Sequence, residues 1–249
     1  MRVAVITEED LFYVREFFCE FLPRARHSEY EICGVTILPA FNKGSTWALA
    51  RQMYGFYGMR DFIRMGCAYA YRKFRKKTIR SLVEQERIPC IDVASVHSEA
   101  YLSWLKDEKI DVLVSVAAPV IFKKELLGIP PRGCLNSHSA LLPENRGMMP
   151  VFWALYKDAP ELGVTIHTME EEVDRGHMLV QERVPIGQES LDEMIRKTKK
   201  ISARLMDHVL AQMVHEDVVG TPIPAGGSYQ TFPTPEEVRD FKKKGKRLL

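Results

Sequence analysis

An asparagine and a histidine stand two residues apart in the stretch CLNSHSALLPENRG, Cys134 to Gly147. Side chains at positions i and i+2 of a strand point to the same face, so Asn136 and His138 should form a pair. A buried amide or imidazole without a hydrogen-bond partner costs about 1–3 kcal/mol, so a further polar group should meet them. The best candidate is Asp174, two residues before Gly176 in the turn of EEEVDRGHML.

These three side chains include no nucleophile. Ser137 and Ser139 flank His138 and should point to the opposite face of the strand, which disfavours a Ser-His-Asp hydrolase. An Asn, a His and an Asp together can polarise a carbonyl, hold an oxyanion and move protons. The set therefore favours direct attack of a substrate amine on an activated acyl group.

Short apolar runs rich in Val and Ile alternate with segments of helical period. The apolar runs cover residues 2–7, 31–38, 88–93, 111–118, 133–138, 163–169 and 177–186, and the main helical candidates cover residues 11–22, 78–86, 99–108 and 149–158. This alternation predicts an α/β fold, a Rossmann-like and mostly parallel twisted sheet with helices on both faces. Sites in such sheets form beyond the carboxyl ends of the strands, where Asn136 and His138 lie.

The pattern changes near residue 189. Residues 190–215 predict one long amphipathic helix, and residues 222–235 are rich in the Gly and Pro that form loops. We therefore predict a catalytic domain over 1–188, with a basic helical insertion at about 45–80. Residues 189–249 form a short C-terminal appendage, a helix and a Gly/Pro-rich tail packed on that domain.

Composition restricts the class of protein. Lys and Arg number 35 against 33 Asp and Glu, and this near balance argues against a dedicated nucleic-acid binder. The five cysteines are scattered without a C-x-x-C pair, so we expect no disulfide framework and no metal site. A reducing cytoplasm fits this cysteine pattern best. The first residues lack a basic segment followed by an apolar stretch, and no apolar run reaches about 18 residues, so we predict no signal peptide and no membrane span.

One segment, residues 51–80, concentrates positive charge among aromatic residues. Its basic residues are Arg51, Arg60, Arg64, Arg72, Lys73, Arg75, Lys76, Lys77 and Arg80, against the single acid Asp61. Three interpretations remain: a packed helical insertion with a solvated basic face, an anion-binding wall for a phosphorylated acceptor, or a surface for a membrane or an acidic partner. The packed helix is the favoured one of the three.

The segment GCLNSHSALLPENRG, followed by PVFWAL and GVTIHTMEEEVDRGHMLVQERV, resembles the signature of the folate-dependent formyltransferases. That family includes glycinamide ribonucleotide, methionyl-tRNA and sugar formyltransferases, and formyltetrahydrofolate hydrolases. Its pattern is an Asn-x-His before a Leu-Leu-Pro loop, then an Asp-x-Gly turn after a Gly-Val-Thr strand. The resemblance covers roughly residues 85–186 and, weakly, the first strand.

The resemblance implies N10-formyltetrahydrofolate as the donor, without a metal. It gives Asn136 and His138 the role of hydrogen-bond donors to the oxyanion, while Asp174 orients His138 and helps to move the proton. The pterin is expected to contact the backbone of the loop after the fourth strand, residues 119–122, and the loop over residues 169–174 should close its other side. The residues implied for donor binding are Pro119, Val120, Ile121, Phe122, Met169, Glu170, Glu171 and Val173.

Departures from the family bear on the acceptor. In the glycinamide ribonucleotide enzymes a glycine-rich phosphate loop follows the first strand, whereas here Glu8, Glu9 and Asp10 follow it. Acidic side chains repel phosphate, so an amino-bearing acceptor such as an amino sugar or an amino acid derivative is favoured. Further candidate substrate contacts are Arg146, His167 and Tyr229. The 249 residues are short for the C-terminal barrel of a methionyl-tRNA formyltransferase and for the regulatory domain of the hydrolases, so we expect neither of these activities to be favoured, although neither is excluded.

The sequence thus predicts an N-formyltransferase acting on a primary amine of a small molecule. A hydrolase of the same donor, with water as acceptor, is the rival among enzymes. A non-catalytic folate-binding or interaction protein is the rival outside them, although a binding module needs no complete Asn, His and Asp set.

Overall fold

The computed structural model of the 249-residue chain describes residues 1–39 and 46–249. The strands in these residues are Arg2–Glu8 (β1), Glu31–Leu38 (β2), Val112–Val116 (β3), Cys134–His138 (β4), Arg146–Gly147 (β5), Glu161–Thr168 (β6), His177–Pro185 (β7), Thr221–Pro222 (β8) and Tyr229–Gln230 (β9). The helices are Val14–Ala25 (α1), Thr46–Tyr57 (α2), Met59–Phe74 (α3), Ile79–Gln85 (α4), Glu99–Asp107 (α5), Lys124–Leu127 (α6), Pro150–Tyr156 (α7), Leu191–His215 (α8) and Pro235–Lys243 (α9).

Seven of these strands form one sheet in the order β2-β1-β3-β4-β6-β7-β8. The strands from β2 to β4 are parallel, and β6, β7 and β8 extend the sheet in antiparallel pairs. A turn of eight residues joins β6 to β7, and such a hairpin connection makes the two strands antiparallel. The predicted α/β fold with a parallel central sheet is confirmed.

Both faces of the sheet are covered, as the apolar runs predict. Val3 and Val5 on one face of β1 belong to a cluster that includes α1 and α8. Ala4 and Ile6 on the other face pack in a cluster with residues of α5 and α6. Because successive strand residues alternate between faces, one strand supplies both cores. The long helix α8 therefore shares its core with the predicted domain over residues 1–188.

The predicted strand over residues 88–93 is wrong. This segment makes a single parallel bridge between Cys90 and Val35, beyond the edge of β2. The Val35 N–H donates to the Pro89 carbonyl, and the Ile91 N–H donates to the Val35 carbonyl. Proline has no N–H, so the ladder cannot extend from this bridge toward the start of the segment.

The C-terminal residues reach back to the rest of the fold. The helix predicted over residues 190–215 is confirmed as α8, and the Ser190 side chain caps its first turn by accepting from the Glu193 N–H. The Gly/Pro-rich tail contributes β8, which pairs with β7, and β9, which pairs with β5. No helix in the described ranges is long and apolar enough to cross a membrane.

The helices α2 and α3 form a hairpin, defined as residues 46–74, in the place of the predicted basic insertion. The start of that insertion, residue 45, lies outside the described residues. Ile79 of α4 is fully buried, so the chain has rejoined the core by that residue. Phe56 near the end of α2 contacts the rings of Phe152 and Phe232, which fixes this end of the hairpin to the body.

Candidate active site

Three elements bring the predicted polar residues together at one edge of the sheet. Asn136 and His138 lie at the carboxyl end of β4, and Asp174 lies in the turn between β6 and β7. The Asp174 Oδ1 atom is 3.5 Å from His138 Nδ1 and 3.4 Å from Asn136 Nδ2. The hydroxyls of Ser137 and Ser139 are buried, and neither has a hydrogen-bond partner among the described residues. The geometry therefore holds the three predicted side chains in one cluster without a serine nucleophile.

Asp174 is held at the centre of this cluster by the backbone. Asp174 adopts a left-handed φ of 53°, and its Oδ2 atom accepts a hydrogen bond of 2.7 Å from the Gly147 N–H. Gly176 completes the turn with a φ of +101°, and a Cβ there would lie 2.4 Å from the Thr168 carbonyl oxygen. Only glycine fits that position without displacing the turn. The Asp-x-Gly spacing is thus explained by the close approach of two backbones.

His138 has partners on both ring nitrogens. Its Nε2–H donates to the Asn145 carbonyl oxygen at 2.9 Å, because a carbonyl can only accept. In the neutral ring the proton then lies on Nε2, and Nδ1 faces the Asp174 carboxylate. A second proton on Nδ1 would point directly at that carboxylate. This arrangement allows His138 to take up and release a proton while Asp174 keeps the ring in place.

His167 lies behind Asn136, away from open solvent. Its exposed fraction is 1%, and its Nδ1–H is shared between the carbonyl oxygens of Thr168 and Arg175 at 2.8 and 3.0 Å. Its Nε2 atom therefore accepts from the Asn136 amide at 3.2 Å. Burial lowers the pKa of His167, which keeps the ring neutral. His167 is therefore placed to orient the Asn136 amide, and its predicted contact with the substrate stays a prediction.

The loop after β4 is braced by the Gly/Pro-rich tail. The Arg146 N–H donates to the Ser228 carbonyl, and the Met148 N–H donates to the Gln230 carbonyl, both at 2.9 Å. The Arg146 guanidinium donates to Glu172 at 2.8 Å and lies 5.9 Å from the centre of the Tyr229 ring. The predicted substrate residues Arg146 and Tyr229 are thus neighbours at the rim of the cluster, and the Tyr229 side chain is 55% exposed.

The three acidic residues at the end of β1 and just after it have structural partners that the sequence did not indicate. Asp10 Oδ1 accepts from the N–H groups of Phe12 and Tyr13 at 2.7 and 3.1 Å, which caps the turn that leads into α1. Glu9 accepts from the Ile79 N–H at the start of α4 at 3.0 Å. Glu8 and Asp10 also lie near the Lys199 ammonium. Burial lowers the pKa of Lys199, and these two carboxylates oppose that shift without cancelling it. These carboxylates therefore already have partners within the protein.

Three of the residues implied for donor binding, Met169, Glu170 and Glu171, line a cleft of about 480 Å³. Its lining residues are Lys124, Leu127, Gly128, Met169, Glu170, Glu171 and Glu172. Val120 and Met169, one from each of the two predicted donor-binding loops, pack against the same apolar cluster. The Phe122 side chain is buried in that cluster, which leaves the backbone of its loop for a ligand. Pro119, Ile121 and Val173 lie in these loops but do not line the cleft.

Sequence reasoning missed several residues of this site. The half-buried His97 donates from Nε2 to the Ile121 carbonyl at 2.9 Å and so holds the loop over residues 119–122. Lys124 lines the cleft, and the backbone groups of Asn145 and Gly147 contact His138 and Asp174. Backbone partners carry no residue-type signal. The only sequence cue was the positive φ that Asn and Gly tolerate at these positions.

The family model for formyl transferase matches residues 66–210, more than half of the chain and the whole of this cluster. The chain belongs to the formyl transferase family. A methionyl-tRNA formyltransferase from Janthinobacterium sp. (strain Marseille) is 34% identical over 155 residues, which cover 61% of this chain and 49% of the relative. The chain thus spans about half the length of the curated relatives it matches.

Solved structures show the same formyltransferase fold. A sugar N-formyltransferase from a Shewanella species aligns over 97% of this chain and 86% of its own, with a TM-score of 0.59 and 19% identity. A phosphoribosylglycinamide formyltransferase from Anaplasma phagocytophilum aligns over 93% of this chain and 99% of its own, with a TM-score of 0.63 and 15% identity. At these identities the likeness concerns the fold alone.

Proposed function

We propose that this formyltransferase-family protein moves a formyl group from N10-formyltetrahydrofolate to a primary amine of a small-molecule acceptor. The observation that carries the proposal is the Asp174 carboxylate, which lies 3.5 Å from His138 and 3.4 Å from Asn136 at the carboxyl end of β4. Acyl transfer between nitrogens needs an oxyanion donor and a proton carrier, and this cluster offers both.

The transfer forms one C–N bond and breaks another, while negative charge develops on the formyl oxygen. Both Asn136 N–H groups already have acceptors, His167 Nε2 at 3.2 Å and Asp174 at 3.4 Å. We infer that the formyl oxygen replaces Asp174 as the acceptor of the N–H with the longer contact, while His167 holds the amide in place. A protonated His138 beside it would add positive charge where the oxyanion forms.

The proton balance is closed by His138 and Asp174. The attacking amine must lose a proton, and the departing N10 nitrogen must gain one. In the proposed mechanism His138 receives the first proton and returns one, directly or through water, while Asp174 stabilises the doubly protonated ring. The carboxylate is fixed for this task by the 2.7 Å bond from Gly147. No side chain is acylated, in agreement with the lack of a nucleophile in the cluster.

The donor would occupy the cleft between α6 and the loop over residues 169–172. Its volume of about 480 Å³ lies within the range of small-molecule sites. The loop over residues 119–122, fixed by His97, supplies backbone groups beside the same apolar cluster, and Lys124 offers a positive charge for an anionic part of the donor. The acceptor would approach along Arg146 and Tyr229.

The class of acceptor is the most specific part of the proposal. The small net charge favours a small molecule over a nucleic acid, and we place the protein in the cytoplasm on the basis of its cysteine usage. Relatives named methionyl-tRNA formyltransferases make a tRNA-borne amine a necessary comparison. The acceptor panel should therefore include amino sugars, their nucleotide conjugates, amino acids and an aminoacylated tRNA.

The test is the absorbance change on deformylation of N10-formyltetrahydrofolate by the purified protein, alone and with each amine. Loss of the formyl group only in the presence of one amine, with formylated product, supports the proposal and identifies the acceptor. Loss without an amine would make the protein a hydrolase. If donor binding is detected but no loss occurs with any acceptor, a binding role replaces the enzymatic one.

A further inference from the structure

The hairpin of residues 46–74 carries an unusual share of the exposed apolar surface. Eleven large apolar side chains are exposed in the part of the chain that the structure describes, and eight of them lie in this hairpin. These eight are Trp47, Leu49, Tyr54, Met59, Ile63, Tyr69, Tyr71 and Phe74. Trp47 and Phe74 are 82% and 84% exposed. Soluble proteins rarely gather apolar side chains in this way without a partner for them.

The helix α3 has an inner and an outer face. Arg72 on the inner face donates to the Leu11 carbonyl at 2.9 Å and lies over the Phe12 ring at 5.1 Å. Met59, Ile63 and Phe74 follow helical spacing on the opposite face, and no residue of α3 is buried. The packed helix that the sequence favoured is therefore only partly realised, because its apolar outer face has no cover.

Positive charges border this outer face. Residues 46–77 contain eight basic side chains and one acid, although the whole chain has a net charge of only +2. Arg60, Arg64 and Lys73 are exposed on α3, and none of them forms an ion pair within the described residues. An exposed apolar stripe flanked by free cations is the pattern of an interfacial helix on an anionic bilayer.

We propose that the hairpin of residues 46–74 docks this protein on the surface of an anionic lipid bilayer. Its apolar outer face would enter the headgroup region while the flanking basic residues meet the lipid phosphates. A second copy of this chain fits less well, because a two-fold contact would bring two strongly positive faces together. A nucleic acid also fits less well, since aliphatic side chains such as Met59 and Ile63 neither stack on bases nor bind phosphate.

The proposal is tested with the full chain and vesicles of phosphatidylcholine, with or without about 30% phosphatidylglycerol, in about 0.15 M salt. We expect co-sedimentation with the anionic vesicles only. An apolar variant (Met59→Ser, Ile63→Ser, Phe74→Ser) and a charge variant (Arg60→Gln, Arg64→Gln, Lys73→Gln) should each weaken partitioning at least about tenfold. A control variant elsewhere on the surface (Lys106→Gln, Val219→Ser) should bind like the unaltered chain.

Thermal unfolding of each variant establishes that the altered side chains, all exposed, have not changed the fold. Full binding by the apolar variant would overturn the proposal, because electrostatic attraction alone would then explain the result. Absence of vesicle binding would also overturn it. If the chain then bound tRNA, or formed a dimer that the apolar variant could not form, the occupant would be a nucleic acid or a second copy.

Discussion

The cluster around Asp174 buries polar side chains, whereas the hairpin of residues 46–74 exposes apolar ones. The cluster buries His138, His167 and Asp174, and each of them has partners within the protein. The hairpin exposes Trp47 and Phe74 to solvent. A buried polar group and an exposed apolar group are each unfavourable alone, so each needs a compensating partner. In the cluster the partners are present in the fold, and for the hairpin we propose a partner outside the protein.

This difference separates two kinds of site. Polar groups that are held by one another can direct chemistry, because their positions are fixed before a substrate arrives. Apolar groups without internal partners gain free energy only on docking. Substitutions in the cluster should therefore change catalytic rate and global stability, whereas substitutions in the hairpin should change docking and local protection.

The largest effect is expected for Asp174→Asn. The variant keeps an oxygen that can accept from Gly147 but loses the charge that faces His138, so kcat/KM for formyl transfer should fall by about 10²–10⁴. The measurement is donor deformylation with the identified acceptor. A matched variant, Glu216→Gln, removes an exposed carboxylate outside the cluster and should keep full activity. Full activity of the Asp174→Asn variant would contradict the proposed mechanism.

The next effect concerns the turn that carries Asp174. Gly176→Ala adds both a strained φ and a close approach of 2.4 Å to the Thr168 carbonyl, so it should destabilise the fold by about 3 kcal/mol or more and displace Asp174. Gly226 has a similar φ of +88° with nothing within 4 Å of its Cβ position, so Gly226→Ala should cost only about 1 kcal/mol. Urea unfolding measures both, and equal losses would show that the close approach is unimportant.

A smaller effect concerns pH. Burial lowers the pKa of His167 below its ordinary value of 6.5, so below that pH the unfolded chain gains a proton that the folded chain refuses. Stability from this residue is complete above pH 6.5 and falls as the pH is lowered, by at most about 1.4 kcal/mol per pH unit. In His167→Gln, the free energy of unfolding measured between pH 7.5 and about pH 5 should depend less steeply on pH. Equal slopes would contradict the assignment of a buried neutral ring.

The smallest effect is expected for Arg72→Ala. Loss of the bond to the Leu11 carbonyl and of the contact with the Phe12 ring should loosen α3 from the body by about 1–2 kcal/mol. Amide hydrogen exchange should rise in the hairpin, while the formyl transfer rate and the global unfolding midpoint stay nearly unchanged. A large loss of global stability would show that the hairpin and the core unfold as one unit.

The sequence predicted those features that depend on local pattern. Alternation of apolar runs with helical segments predicted the α/β sheet, and the long helix over residues 190–215 followed from its spacing. The i and i+2 spacing of Asn136 and His138 placed them on one face of β4, and the Asp-x-Gly pattern predicted a turn. The strand over residues 88–93 was wrong because an apolar run alone does not show that Pro89 removes the donor needed to extend the ladder.

What the tertiary structure alone decided is which groups lie opposite one another. The pairing of β4 with β6 sets Asn136 beside His167, and the pairing of β5 with β9 brings the Gly/Pro-rich tail to the site. The same holds for Asp10, whose carboxylate caps the turn into α1, and for the outer face of α3. Side-chain periodicity determines the face of an element that a residue occupies, whereas its partner is set by long-range packing that no local spacing encodes.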